Sequence, residues 1–191
     1  MPSRAKTPNA PPGSDNTRND KKVRTASRGL LREPPSERDM ARNIIGLKRL
    51  GHHAAALMGA SYLEHALELA LKARFRTLNS DDDTRMWNGA AGGILGGFAS
   101  KIRMSYALGI VHENPYMALL LINDIRNVFA HSLHKLNFRH KLLMDDCNRL
   151  REVSLVAADA AALTDQDTAI DIYVNLVKIL YNSLRASAKN Q

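Results

Sequence analysis

From Ser36 onward, apolar residues recur at three- and four-residue spacing, and nowhere do they alternate over a stretch long enough for a strand. That period is the mark of helices packed on helices. The last such stretch, about 166 to 187, opens after Thr164-Asp165 and places Ile170, Tyr173, Val174, Val177, Leu180, Tyr181 and Leu184 on one face. An earlier one, about 52 to 77, is apolar around most of its circumference (Leu57, Met58, Leu63, Ala66, Leu67, Ala70, Leu71), which predicts packing on several sides. One polar stripe interrupts it, Glu64, Glu68, Lys72 and Arg76, and reads as a solvated edge with a Glu68–Lys72 pair. With aromatics at only 5% in 191 residues, the expectation is a single all-α domain, a compact bundle of five to seven helices.

The N-terminal segment obeys different rules. Residues 1 to 38 hold nine Lys/Arg against four Asp/Glu and six of the seven prolines, so +5 of the chain's +8 net charge sits there. With almost no aliphatic residue before Leu30, this segment cannot offset its ordering entropy. Residues 1–35 are therefore expected to be a disordered basic tail, and 36–191 the helical domain. The tail is either a solubilising leader or a weak, salt-sensitive contact for nucleic acid.

Within the helical part, a first helix is expected over about 37 to 50, broken at Gly51. Asn79 to Asp83 reads as a solvated loop. Residues 89 to 97 are glycine-rich and run into a third helix, about 98 to 110. No Gly-Lys-Ser/Thr ending and no preceding strand accompany these glycines, so close passage of Gly96 and Gly97 against a neighbouring helix explains them better than a phosphate loop. Asn114-Pro115 signals the start of a fourth helix reaching about His134. Residues 139 to 162 suggest one or two shorter helices carrying Leu142, Leu143, Cys147 and Leu150.

Several kinds of chemistry are disfavoured at once. The lone Cys147 allows no internal disulfide and no finger-type zinc site, and suits a reducing, cytoplasmic setting. His52-His53 and His65 have no carboxylate or thiolate at ligand spacing, and Asp81 to Asp83 lack the alternation of a calcium loop, so neither metal nor cofactor is expected. The longest apolar run, Tyr116 to Ile122, is far short of the roughly 18 residues that span a bilayer, and no membrane partner is expected.

The fourth helix holds the candidate site. Ala118, Leu121, Ile122, Ile125, Val128 and Phe129 form its expected core face, and Asn123, Arg126, Asn127, Ala130, His131 and His134 fall opposite. A solvated face usually carries Lys and Glu; this one carries a guanidinium, two amides and two imidazoles. In a structural reading, Arg126 pairs with a carboxylate such as Glu64 or Glu68, Asn127 bonds to backbone, and His131 caps the helix. In a catalytic reading, Arg126 holds a phosphate and His131 acts as general base on a ribose hydroxyl. Their five-residue offset turns them about 140° apart, so two copies of the helix across a homodimer axis would be needed to share one cleft.

Phe98-Ala-Ser-Lys-Ile-Arg-Met-Ser-Tyr-Ala-Leu-Gly-Ile-Val111 and Leu121-Ile-Asn-Asp-Ile-Arg-Asn-Val-Phe-Ala-His-Ser132 resemble the mannitol operon repressor family. Gly93 to Phe98, Ala60 to Glu64, and Phe138, Cys147 and Leu150 also fit it, so the resemblance covers about Gly51 to Leu150. It implies an all-helical regulator without a helix-turn-helix, repressing through a protein partner such as a transcription factor. The shorter string Arg126-Asn-Val-Phe-Ala-His131 resembles the signature of HEPN ribonucleases. That resemblance implies a metal-independent endoribonuclease, a toxin or defence effector, with Arg126 and His131 catalytic. The regulator is the favoured reading and the ribonuclease the alternative. Direct DNA reading ranks third, since no helix-turn-helix with an exposed basic recognition helix can be found.

Overall fold

The computed structural model describes residues 36–155 and 168–189; the expected tail and part of the 139 to 162 stretch lie outside the described residues. Seven α-helices occur among the described residues: α1 Glu37–Gly46, α2 His52–Lys72, α3 Ser80–Trp87, α4 Phe98–Ala107, α5 Glu113–His131, α6 Lys141–Leu155 and α7 Ala169–Lys189. Short 3₁₀ turns at Leu47–Leu50 and Gly89–Ala91 join some of them, and no described residue is in a strand.

α2 lies at the centre and packs most extensively on α7, with α4 and α5 on its other sides. Its near-uniform apolarity is thereby explained: Ala55, Ala56, Ala60, Leu63, Ala66, Leu67 and Leu71 are all buried. Gly59 sets the approach of α7. A Cβ there would lie 3.0 Å from the Tyr173 ring, and the Tyr173 hydroxyl instead donates to the Ala56 carbonyl at 2.7 Å. The expected α7 face is buried throughout except for half-buried Ile170. Glu37 at the start of α1 is held by Arg185 and by Lys189, the latter at 2.9 Å, which ties the two ends of the domain together.

Four local expectations need correction. Asn79 to Asp83 is a helix start: the Asn79 side chain accepts from the Asp81 and Asp82 amides at 3.1 and 2.9 Å, and three aspartates favour the positive end of α3. α2 stops at Lys72, before residue 77, and the chain then turns so that Phe75 meets Trp87 edge to face in a second small core with Leu71 and Leu95. α5 begins at Glu113 behind His112; Pro115 is its third residue, still in the first turn, where no amide partner is lost. The fourth correction concerns the glycines. The segment closes on itself rather than on a helix: a Cβ on Gly96 would sit 2.3 Å from the Gly89 Cα, while Gly97 has open space.

α5 is also rotated relative to expectation. Leu119 joins Ala118, Ile122, Ile125 and Phe129 in the core, whereas Val128 is 45% exposed. The polar face therefore spans a wider arc.

Candidate functional site

Two polar clusters are candidates, one outside the core on α5 and one inside it. On α5, Asn123, Arg126 and Asn127 are half-buried and His131 is exposed as the last helical residue. The Arg126 guanidinium donates from Nη1 to Oδ1 of its neighbour Asn127 at 2.9 Å. The helix ends at His131, so His134 lies beyond it, exposed, with its amide donating to Ser132 Oγ at 3.1 Å. The face thus gathers Asn123, Arg126 and Asn127, and leaves the two imidazoles in solvent.

The carboxylates expected to receive Arg126 are taken by another residue. Lys101 on α4 is 3% exposed, and its Nζ lies 3.0 Å from Glu64 Oε1 and 3.0 Å from Glu68 Oε2. Glu68 also meets Lys72 at 3.0 Å, which extends to Asp83 at 3.5 Å and lies 5.3 Å over the Trp87 ring. What reads in sequence as a solvated stripe is a half-buried network joining α2, α3 and α4. Burial pushes the Glu68 carboxyl up, but hydrogen bonds and the charges of Lys72 and Lys101 outweigh it and hold the carboxyl below its ordinary value. Burial holds the nearby His65 imidazole below its ordinary value, against the opposing charge of Glu68 and with Lys101 and Lys72 adding to the effect.

Lys101 is the residue that sequence reasoning missed, and a signal for it existed. Phe98, Lys101, Ile102 and Ser105 are the buried positions of α4 and follow the i, i+3, i+4, i+7 spacing of a core stripe. A lysine on such a stripe needs an anionic partner. The spaced carboxylates of α2 were the available ones.

Nucleophilic chemistry finds no support at Cys147. It is buried in the core, and its thiol is pushed up to about 12, first by burial and then by the charge of Asp146. Among the described residues no group of three His, Cys, Asp or Glu is placed to hold a metal ion, and no helix is long and apolar enough to cross a membrane.

The fold and these clusters define an all-α bundle with one interior charge network and one half-exposed polar helix face. No family model matches the sequence, and no curated protein matches it. Among solved structures, a chain of the X-ray structure of the MtlR–HPr complex from Escherichia coli shares the fold, with a TM-score of 0.58 over 77% of this chain and 99% of that one. The identity is 16%, so the likeness is one of fold.

Proposed function

We propose that this protein is a regulator of the mannitol operon repressor kind, a repressor that works by binding another protein. The observation that carries the reading is the fold shared, over nearly the whole of the other chain, with the structure of a protein–protein complex. The site geometry agrees. The interior charges neutralise one another, the thiol is buried in the core, and Arg126 is hydrogen-bonded to its own neighbour Asn127. What remains accessible is surface for contact.

Titration calorimetry of the full chain with HPr is the direct test. A saturable heat with one-to-one stoichiometry supports the reading. The ribonuclease alternative is tested beside it by incubating the chain with single-stranded RNA in excess chelator. Cleavage that disappears in His131→Ala would replace the regulator reading with the ribonuclease one, because loss of a general base costs about 100- to 10,000-fold in rate.

A further inference from the structure

An open groove of about 790 Å³ runs between the start of α2 and the connection from α5 to α6. Leu50, Leu57 and Leu136 supply apolar lining, and Lys135, Arg139 and His52 supply the polar groups. Leu50 is 47% exposed, an aliphatic side chain that nothing described covers. No Asp or Glu lines the groove. Among the described residues, neither Lys135 nor Arg139 takes part in a salt bridge, so both charges face the groove without a carboxylate partner there. The His52 ring has a fixed orientation: its Nδ1 accepts the Phe138 amide at 3.1 Å, and the ring lies 5.8 Å from that of Phe138. A neutral imidazole engaged this way carries its hydrogen on Nε2, so the ring offers a donor.

The geometry points to this groove as the docking site for an acidic, amphipathic peptide segment of a partner protein, an assignment that rests on the reading of the chain as one acting through protein contacts. Charge complementarity selects the occupant: two cations without an ion pair among the described residues and an imidazole donor, with no carboxylate in the lining, match side-chain carboxylates. The leucines select a peptide over a nucleic acid. A phosphate backbone would use Lys135 and Arg139 but leave Leu50, Leu57 and Leu136 uncovered, whereas an acidic helix with an apolar face answers both halves of the lining.

The test is to pan a phage-displayed random peptide library on the full chain, with counter-selection on the Lys135→Glu/Arg139→Glu variant. Both positions are exposed, and thermal melts verify that the variant is folded. Enriched peptides are expected to combine Asp or Glu with leucine-like residues at helical spacing. A synthetic copy should bind about tenfold or more weakly to the charge-reversed variant, and more weakly to Leu50→Ser, with the loss growing smaller at high salt. Enriched peptides without acidic bias, equal binding to the charge-reversed variant, or tighter binding of a single-stranded RNA of similar length would each overturn the assignment. If HPr binds while panning yields no acidic peptide, the groove assignment falls and the regulator reading stands. If acidic peptides bind the groove while HPr does not bind the chain, the groove stands and the partner is a protein other than HPr.

Discussion

The Lys101 cluster and the polar face of α5 each place a cationic side chain on helices that share one core, yet they end in different states. Lys101 sits on a core-facing stripe, where an unpaired ammonium would be costly, and packing brings two carboxylates to within 3.0 Å of it. Arg126, Asn123 and Asn127 lie across from the buried face of α5, and the guanidinium bonds to the adjacent residue. The first cluster joins three helices. Among the described residues, the second makes no hydrogen bond or ion pair beyond its own turn, and its half-buried side chains keep one side open to solvent or to another molecule. A polar residue's position relative to the core stripe, more than its chemical type, decides which of these roles it takes.

The largest test of that contrast is Lys101→Met. Removing the buried ammonium leaves Glu64 and Glu68 facing each other with one cation fewer, and unfolding in urea should show a loss of about 3 kcal/mol. Adding Glu68→Gln should recover part of it, because one carboxylate then no longer needs a counter-charge. A Lys101→Met protein as stable as wild type would erase the distinction between the two regions.

Acid sensitivity should follow the same cluster. The Glu68 carboxyl lies below its ordinary value of 4.5, so its contribution is present above 4.5 and is lost as pH falls through the lower folded value. The His65 imidazole lies below 6.5, so the unfolded chain takes up this proton first and stability declines as pH drops past 6.5. Both act in one direction. Melting temperatures measured from neutral to acid pH should fall in wild type, and less steeply in Lys101→Met, where Glu68 loses one of the charges that hold it down. Equal slopes in the two proteins would assign the acid sensitivity to other groups.

Arg126→Ala should cost about 0.5–1 kcal/mol, since it removes one half-exposed hydrogen bond and leaves no buried carboxylate unpaired. A loss as large as that of Lys101→Met would show that α5 carries a hidden structural pair. The smallest effect is expected from His131→Ala. With an exposed side chain at the end of the helix, its melt should overlay that of wild type, and neither protein should cleave single-stranded RNA.

Much of the architecture is legible in the residues because it depends on short-range periodicity. The buried face of α7 and the burial of most apolar residues of α2 follow from spacing alone, although Met58 is 38% exposed, and so does the break at Gly51, which adopts φ +80. Boundaries were less legible. The Asn79 cap resembles a loop until the helix it opens is seen, and Pro115 is tolerated anywhere in a first turn, so it cannot mark the first residue. Within the candidate site, the separation of Asn123, Arg126 and Asn127 from the core could be read. The exclusion of His134 could not, because it depends on where α5 stops.

The sequence by itself determined that this chain builds helices, which faces most of them bury, and that one helix carries a polar face with a guanidinium and two amides. These are properties of residues a turn or two apart, and a helix imposes them wherever it forms. Only the tertiary structure decided that Glu64 meets Lys101, 37 residues away, rather than Arg126, that Gly89 and Gly96 touch backbone to backbone, and that His52 anchors the amide of Phe138, 86 residues on. Each of these is a choice among partners that local spacing leaves equally available. Packing makes that choice, because only the packed arrangement fixes which helix faces which and which polar groups lose their water.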